Sequence, residues 1–291
     1  MKAADFIYHR AHSIDEALRL LVDYDGTARI LAGGQSLVPM LNMRLLRPAA
    51  LIDINGLEEL SRIEVRGSET VLGGLVRHVT VETSSLVAER LPLLARMIRH
   101  VADRQVRNRG TIGGSLVQAD PTGEMPLGCL VLGARVRVIS NGKAREIPMQ
   151  DFYEGSYAAA IAPDEILVEI IFPRHPIHHA FRELNRRHND FAVLSIAIVG
   201  DRDEEGRWSN VRIGLGGVHD TPIIVEEAGA HLDGSLLDDS DIAAAAEAAG
   251  RAISPPSDMR ASEEYRRHLV SVHVPRLLRE FRTSASPSSL N

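Results

Sequence analysis

The sequence predicts an α+β chain built in two parts, and three observations carry that prediction. An early β–α–β run implies a small parallel unit. From Ile63 the pattern changes to short alternating segments, the mark of antiparallel strands. Pro173-Arg174-His175-Pro176 then interrupts helix and sheet alike, and beyond it three strand-like runs give way to helices. The expected parts are residues 1–176, with subdomains of about 1–60 and 61–176, and a C-terminal part, 177–291, in which an antiparallel sheet is joined by helices.

The elements follow in order. Ser13-Ile14-Asp15-Glu16 is a capping box, and Ala17, Leu18, Leu21 and Val22 recur behind it at helical spacing, with Gly26 as the stop. A short strand, 28–32, runs into Gly33-Gly34. Ser36 opens a helix over 37–46, and 50–54 is a second short strand. Strands are expected at 63–65 and 70–76, a helix from Thr80 to Glu89 and another over 91–102. Asn141-Gly142 joins 135–139 and 144–147 in a hairpin, and 165–172 is a strand stopped by Pro173. The C-terminal part reads as strands at 180–185, 191–199 and 208–216, helices at 241–249 and 262–281, and a serine-rich tail, 283–291, expected to fray.

The 291 residues are 44% apolar and 25% charged, which suits a globular chain and excludes disorder through low hydrophobicity. A net charge of −6 argues against general nucleic-acid binding. Cys129 is the one cysteine, so neither an internal disulfide nor a cysteine-held cluster is expected, and a reducing, cytoplasmic setting is the simplest reading. No signal-like start and no apolar run long enough to span a membrane is seen. His175, His178, His179 and His188 cluster without acidic partners in a metal-ligand pattern.

Two glycine turns carry the chemistry. Ala32-Gly33-Gly34-Gln35-Ser36 lies between a strand and a helix. Paired glycines admit a ligand close to the main chain, and a helix start offers N–H groups to an anion. Thr111-Ile112-Gly113-Gly114-Ser115 repeats the pattern after the basic stretch Arg104-Gln105-Val106-Arg107-Asn108-Arg109. Together they suit the two sides of one diphosphate; singly, each reads more readily as a tight turn. Leu72-Gly73-Gly74 and Leu215-Gly216-Gly217 lack hydroxyls and helix starts and read as bulges or close packing. Neither the dinucleotide-binding nor the P-loop glycine signature occurs.

Read together, these segments resemble a known family. Ala32-Gly33-Gly34-Gln35-Ser36-Leu37-Val38-Pro39-Met40 looks like its first FAD signature, and Gln105 to Leu116, with Thr111-Ile112-Gly113-Gly114-Ser115 inside it, like its second. Ala119-Asp120-Pro121, Glu124-Met125-Pro126, Arg186-Arg187-His188-Asn189-Asp190-Phe191-Ala192, Pro256-Ser257-Asp258 and Tyr265-Arg266 continue the likeness over roughly residues 5 to 280. The family is the medium, flavin-binding subunit of aerobic carbon monoxide dehydrogenase and related molybdenum hydroxylases, a module that xanthine dehydrogenase carries within a longer chain.

The resemblance implies a two-subdomain FAD-binding module, like that of vanillyl-alcohol oxidase relatives, closed by a smaller C-terminal domain. It implies noncovalent FAD, with the pyrophosphate held by the 32–36 and 111–115 turns and Arg29, Ile30 and Leu31 leading into the first. Glu124 falls near the flavin's sugar and adenine half, or is an ordinary surface acid. Phe191 falls near the isoalloxazine, where relatives often have Tyr, or is plain core. Ile166 or Leu167 packs near the ring or the adenine, and Arg182 matches a basic position of the family. Asp53, between Ile52 and Ile54, reads from the sequence itself as bonding only the adjacent turn. Electrons would pass from [2Fe-2S] clusters on a small subunit, through this chain, to an external acceptor. A large subunit would carry the molybdenum cofactor, and the whole would form a dimer of heterotrimers. A stand-alone FAD oxidase or dehydrogenase and a flavin-free scaffold are the alternatives.

Overall fold

The computed structural model describes residues 2–140, 142–187 and 189–284. Met1, Asn141 of the expected hairpin turn, His188 of the histidine cluster and residues 285–291 of the expected frayed tail lie outside them.

The chain opens with strand β1 (Ile7–Arg10), helix α1 (Ile14–Asp23), β2 (Ala28–Leu31), α2 (Leu37–Asn42) and β3 (Ala50–Asp53). The sheet order is β1-β3-β2, with both outer strands parallel to β3. Ser13 caps α1 by accepting the Glu16 N–H at 3.1 Å. Glu16 completes the N-terminus by accepting the His12 N–H rather than that of Ser13. Strand β1 lies outside the sequence expectation, because its exposed Ile7 and Tyr8 show no inward alternation. Helix α2 ends four residues earlier than the pattern 37–46 suggests. Arg44 turns left-handed (φ 60°), and the Leu45 N–H folds back onto the Met40 carbonyl at 2.9 Å.

A helical layer follows an antiparallel pair, β4 (Ile63–Arg66) and β5 (Glu69–Gly73). Its members are α3 (His78–Thr83), α4 (Ser85–Arg90), α5 (Pro92–Met97), α6 (Arg104–Arg109), α7 (Ile112–Gln118) and α8 (Glu124–Val131). The helix expected from Thr80 to Glu89 is two. Ser84 leaves the helical region and caps α4 through the Val87 N–H. Then come β6 (Arg135–Ser140), β7 (Lys143–Pro148), the short pair β8 (Tyr153–Gly155) and β9 (Ala158–Ala159), and β10 (Ile166–Phe172). The second sheet runs β4-β5-β10-β6-β7, antiparallel throughout.

Beyond Pro173 stand β11 (His178–Asn185), β12 (Ala192–Arg202), β13 (Trp208–Gly216) and β14 (Ile223–Ile224), an antiparallel sheet in sequence order. Helices α9 (Glu226–Leu232), α10 (Asp239–Ala252) and α11 (Glu263–Ser284) cover one face of it. One core lies there, around Ile196, Ile198, Ile213, Val274 and Phe281. A second serves the parallel sheet, around Ala17, Leu21, Ile52 and Val168. The central core is shared. Leu94 and Met97 of α5 and Leu127 and Val131 of α8 pack with Phe181, Ala197 and Val199 from the C-terminal sheet. Arg266, 1% exposed, locks that sheet to the 254–262 loop. It donates to the carbonyls of Val193 (2.6 Å) and Gly217 (2.7 Å) and to both Asp258 oxygens.

Candidate functional site

The first turn touches the backbone that leads into the second, far from it in sequence. A Cβ placed on Gly33 would lie 2.3 Å from the Arg109 carbonyl oxygen and 2.9 Å from the Gly110 Cα. Gly113 meets Gly74 as closely, its virtual Cβ lying 2.5 Å from the Gly74 oxygen, so the Gly73-Gly74 pair is close packing, as its strand context implied. The helices behind the turns also meet, Gln118 Nε2 of α7 reaching Met40 Sδ of α2 at 3.8 Å.

The turns differ in what they offer. None of the backbone N–H groups of Gly33, Gly34, Gln35 and Ser36 is taken up by a hydrogen bond among the described residues, and Ser36 spends no hydroxyl on capping α2. In the second turn the N–H groups are committed. Ile112 donates to Val76, Gly113 to Gly74 at 3.1 Å, and Gly114 to the Thr111 hydroxyl that caps α7. What it offers a ligand therefore lies in the hydroxyls of Thr111 and Ser115. Ser115 Oγ lies 3.0 Å from Nε2 of buried His78, and burial holds the His78 pKa down at about 4, so the ring is neutral.

A polar brace joins the turns, and sequence reading named only one of its members. Asp53 Oδ1 accepts the Asn55 N–H at 2.8 Å and its side-chain Nδ2 at 2.7 Å, while Tyr8 donates to Asp53 Oδ2. Asn55 Nδ2 also donates to the Ala32 carbonyl at 2.8 Å. Arg77 donates through Nη2 to Asn55 Oδ1 at 2.6 Å and through Nη1 to the Arg109 carbonyl. Isolated polar residues such as Asn55 and Arg77 carry no pattern that a sequence displays; the one local hint is the Asp-x-Asn spacing of an Asx turn.

At the far end of α7, about 10 Å along its axis, a second cluster gathers. Ala119 and Tyr157 are both left-handed (φ 52° and 60°), and the Tyr157 N–H donates to the Ala119 carbonyl at 2.8 Å. The Arg260 guanidinium lies 4.6 Å from the centre of the Phe191 ring, which is 54% exposed. Phe191 is thus surface, not core, and the expected strand 191–199 begins only at Ala192. Glu124 starts α8 and is not an ordinary surface acid: burial, then the Asp120 charge, pushes its pKa up to about 7. Glu183 lies on β11 with its side chain inaccessible, and burial and Glu124 push it to about 8.

Other expected site residues stand elsewhere. Arg29 is exposed beside the first turn and donates to the Gly26 and Ala28 carbonyls, while Ile30 packs on the N-terminal core and Leu31 touches Gly34. Leu167 is buried behind the second turn, against Gly74. Arg182 is engaged with another partner. On β11, alternation turns Phe181 into the central core, whereas Arg182 reaches α11 and pairs with Glu280 at 2.6 Å, away from the turns. Arg107 is likewise spent internally, on Glu82 and the Val101 and Ala102 carbonyls. Among the described residues no group of three or more His, Cys, Asp or Glu is placed to hold a metal. Cys129 is fully buried, which pushes its thiol pKa up.

Residues 3–175 match the model of the FAD binding domain in molybdopterin dehydrogenase, and 179–281 that of the CO dehydrogenase flavoprotein C-terminal domain. The chain belongs to this molybdopterin-dehydrogenase flavoprotein family. It is 39% identical over 99% of its length, and 98% of the relative's, to the 6-hydroxypseudooxynicotine dehydrogenase complex subunit alpha of Paenarthrobacter nicotinovorans. It is 34% identical to the carbon monoxide dehydrogenase medium chain of Afipia carboxidovorans, covering 98% of this chain and 99% of that one. Quinoline 2-oxidoreductase from Pseudomonas putida 86 superposes with a TM-score of 0.93 at 35% identity, over 98% of this chain and 99% of that one. A molybdopterin-dehydrogenase flavoprotein is an oxidoreductase subunit that binds FAD. The residues present fit that cofactor's diphosphate: free N–H donors and a hydroxyl on one turn, hydroxyls on the other, and no space for side chains at Gly33 or Gly113.

Proposed function

We propose that this flavoprotein is the electron relay of a molybdenum hydroxylase, standing between [2Fe-2S] clusters on a small partner subunit and an external acceptor. A large molybdopterin-binding partner oxidises the substrate, and the assembly is a cytoplasmic dimer of heterotrimers. The observation that carries the reading is the contact of Gly33 with Arg109, which supports one site shared by both glycine signatures. The relatives' names, medium chain and complex subunit, support the assembly, and the one cysteine is buried, so cluster ligands are assigned to a partner. We place the boundary between the FAD-binding and C-terminal domains at residue 176.

When bound, FAD supplies a carrier that exchanges electrons singly or in pairs. The N–H groups of 33–36 bind the diphosphate, and the Thr111 and Ser115 hydroxyls donate from the other side. Strand β2, with Arg29, Ile30 and Leu31, presents the first turn. Glu124, whose neutral form burial favours, would stand toward the sugar half, and Phe191 would offer an apolar face to the ring. Neutral His78 orients the Ser115 hydroxyl without adding charge. Reconstitution tests the relay. Offered a panel of carbon monoxide, aldehydes, purines and N-heterocycles, the flavin should lose its visible absorbance only with both partner subunits present. Full bleaching by substrate with this chain alone would overturn the relay and favour a stand-alone dehydrogenase.

A further inference from the structure

We propose that Arg77 and Asn55 act as one positioning unit that sets the gap between the two glycine turns, and through it the affinity for a diphosphate. The inference rests on the reading that the diphosphate lies across both turns. Its basis is the geometry of two peptide groups. A trans peptide points its C=O and its N–H in opposite directions. Asn55 Nδ2 holds the Ala32 carbonyl at 2.8 Å, so the N–H of the same peptide, that of Gly33, is turned away from Asn55, and it has no partner among the described residues. Arg77 holds the Arg109 carbonyl just ahead of the second turn, and there it fixes only the position of the backbone, since the N–H of that peptide, Gly110's, is taken by Val106 at 2.7 Å.

The two holds are one because Arg77 Nη2 donates to Asn55 Oδ1 at 2.6 Å, the acceptor that Asn55 has left after committing its Nδ2 to Ala32 and Asp53. A guanidinium spans two acceptors with a rigid fork; an ammonium does not. Arg77 is partly desolvated at this place, which lowers its pKa, and water competes less for its bonds. Gly33 and Arg109 are already at contact, so the turns cannot close further and the brace resists only their opening. Thr111 is paired with Arg77 through an isolated backbone bridge, so a shift of Arg77 also moves the N-cap of α7. Arg77 and Asn55 need not touch the ligand to act on it.

The test strips FAD from the full-length chain and titrates it back, following flavin fluorescence, with ADP competition as a probe of the diphosphate half. The melting temperature of the flavin-free protein is read alongside. Arg77→Gln and Asn55→Ser should each raise Kd for FAD and ADP about tenfold. The double variant should be no more than about threefold weaker than the worse single, since a broken unit is broken once. Arg77→Lys should behave like Arg77→Gln. Wild-type affinity in Arg77→Lys would show that charge alone suffices and overturn the proposal. So would multiplicative losses in the double variant, or a fall in melting temperature with Kd unchanged. Asn55→Ser, the milder change, carries the test if Arg77→Gln does not fold. An unmodified chain that takes up neither FAD nor ADP would overturn the site reading itself.

Discussion

A single methyl group on Gly33 has nowhere to go, because the atom it meets is a backbone oxygen rather than a side chain that can swing aside. Gly33→Ala should force the turns apart, at a cost of about 1–3 kcal/mol, and weaken FAD binding about 10- to 100-fold by fluorescence titration. Gly67→Ala, with no atom within 4 Å, should leave the affinity unchanged. Phe191→Ala should shift the flavin's visible spectrum or potential more than its Kd; equal spectra would remove the ring from the site. Glu124 and Glu183 predict a pH dependence. A carboxyl raised from 4.5 to about 7 or 8 binds more protons folded than unfolded, so its contribution to stability falls as pH rises through that window. Glu183→Gln in the flavin-free chain should therefore melt close to wild type at pH 4 and above it at pH 8, by about 3 °C or more. A gap that narrows with pH would contradict this. Residues were legible where chemistry repeats in a local string, as in both glycine turns. They were not where one side chain reaches across the fold, as Arg77 does, or where a residue's face decides its partner, as alternation on β11 turns Phe181 to the central core and Arg182 to Glu280.

The elements most visible in the sequence were those with regular period and explicit caps, such as α1 behind Ser13 and the β6–β7 hairpin, whose register closes at Ser140 and Lys143. The run from α6 to α8 was not. Ile112-Gly113-Gly114 has poor helix propensity and reads as a turn, yet Thr111 caps it as a helix. Helix α8 contains Pro126 and Gly128 and has no polar face to mark it; residues Met125 to Val131 are buried on every side. Its helicity comes from packing rather than propensity. Gly214 on β13 lets it dock, for a Cβ there would lie 2.3 Å from Val131 Cγ2 and 2.9 Å from Leu127 Cδ1. Gly214→Ala should destabilise the chain by about 1–3 kcal/mol in urea unfolding. Val131→Ala in the same background should recover part of that loss, and a purely additive pair would argue against this contact as the cause.

On the scale of the molecule, the two-part plan and the likeness to molybdenum hydroxylase flavoproteins were legible, because β–α–β, antiparallel and helical stretches follow each other with few interruptions. What a sequence does not display is which cores merge. The central core takes Phe181, Ala197 and Val199 from beyond the proline-marked boundary, and His175 at that boundary bonds the Arg90 carbonyl at 2.9 Å. Calorimetry of the flavin-free chain should accordingly show one transition; two resolved peaks would mean that the shared core contributes little. The same merging separates covalent continuity from structural unity. Arg174 is exposed between its two prolines, so a protease can sever the backbone there while the halves stay clasped through Phe181 and Val131. Fragments 1–174 and 175–291, produced together as separate polypeptides, should reassemble into a flavin-binding particle that migrates as the uncut chain does.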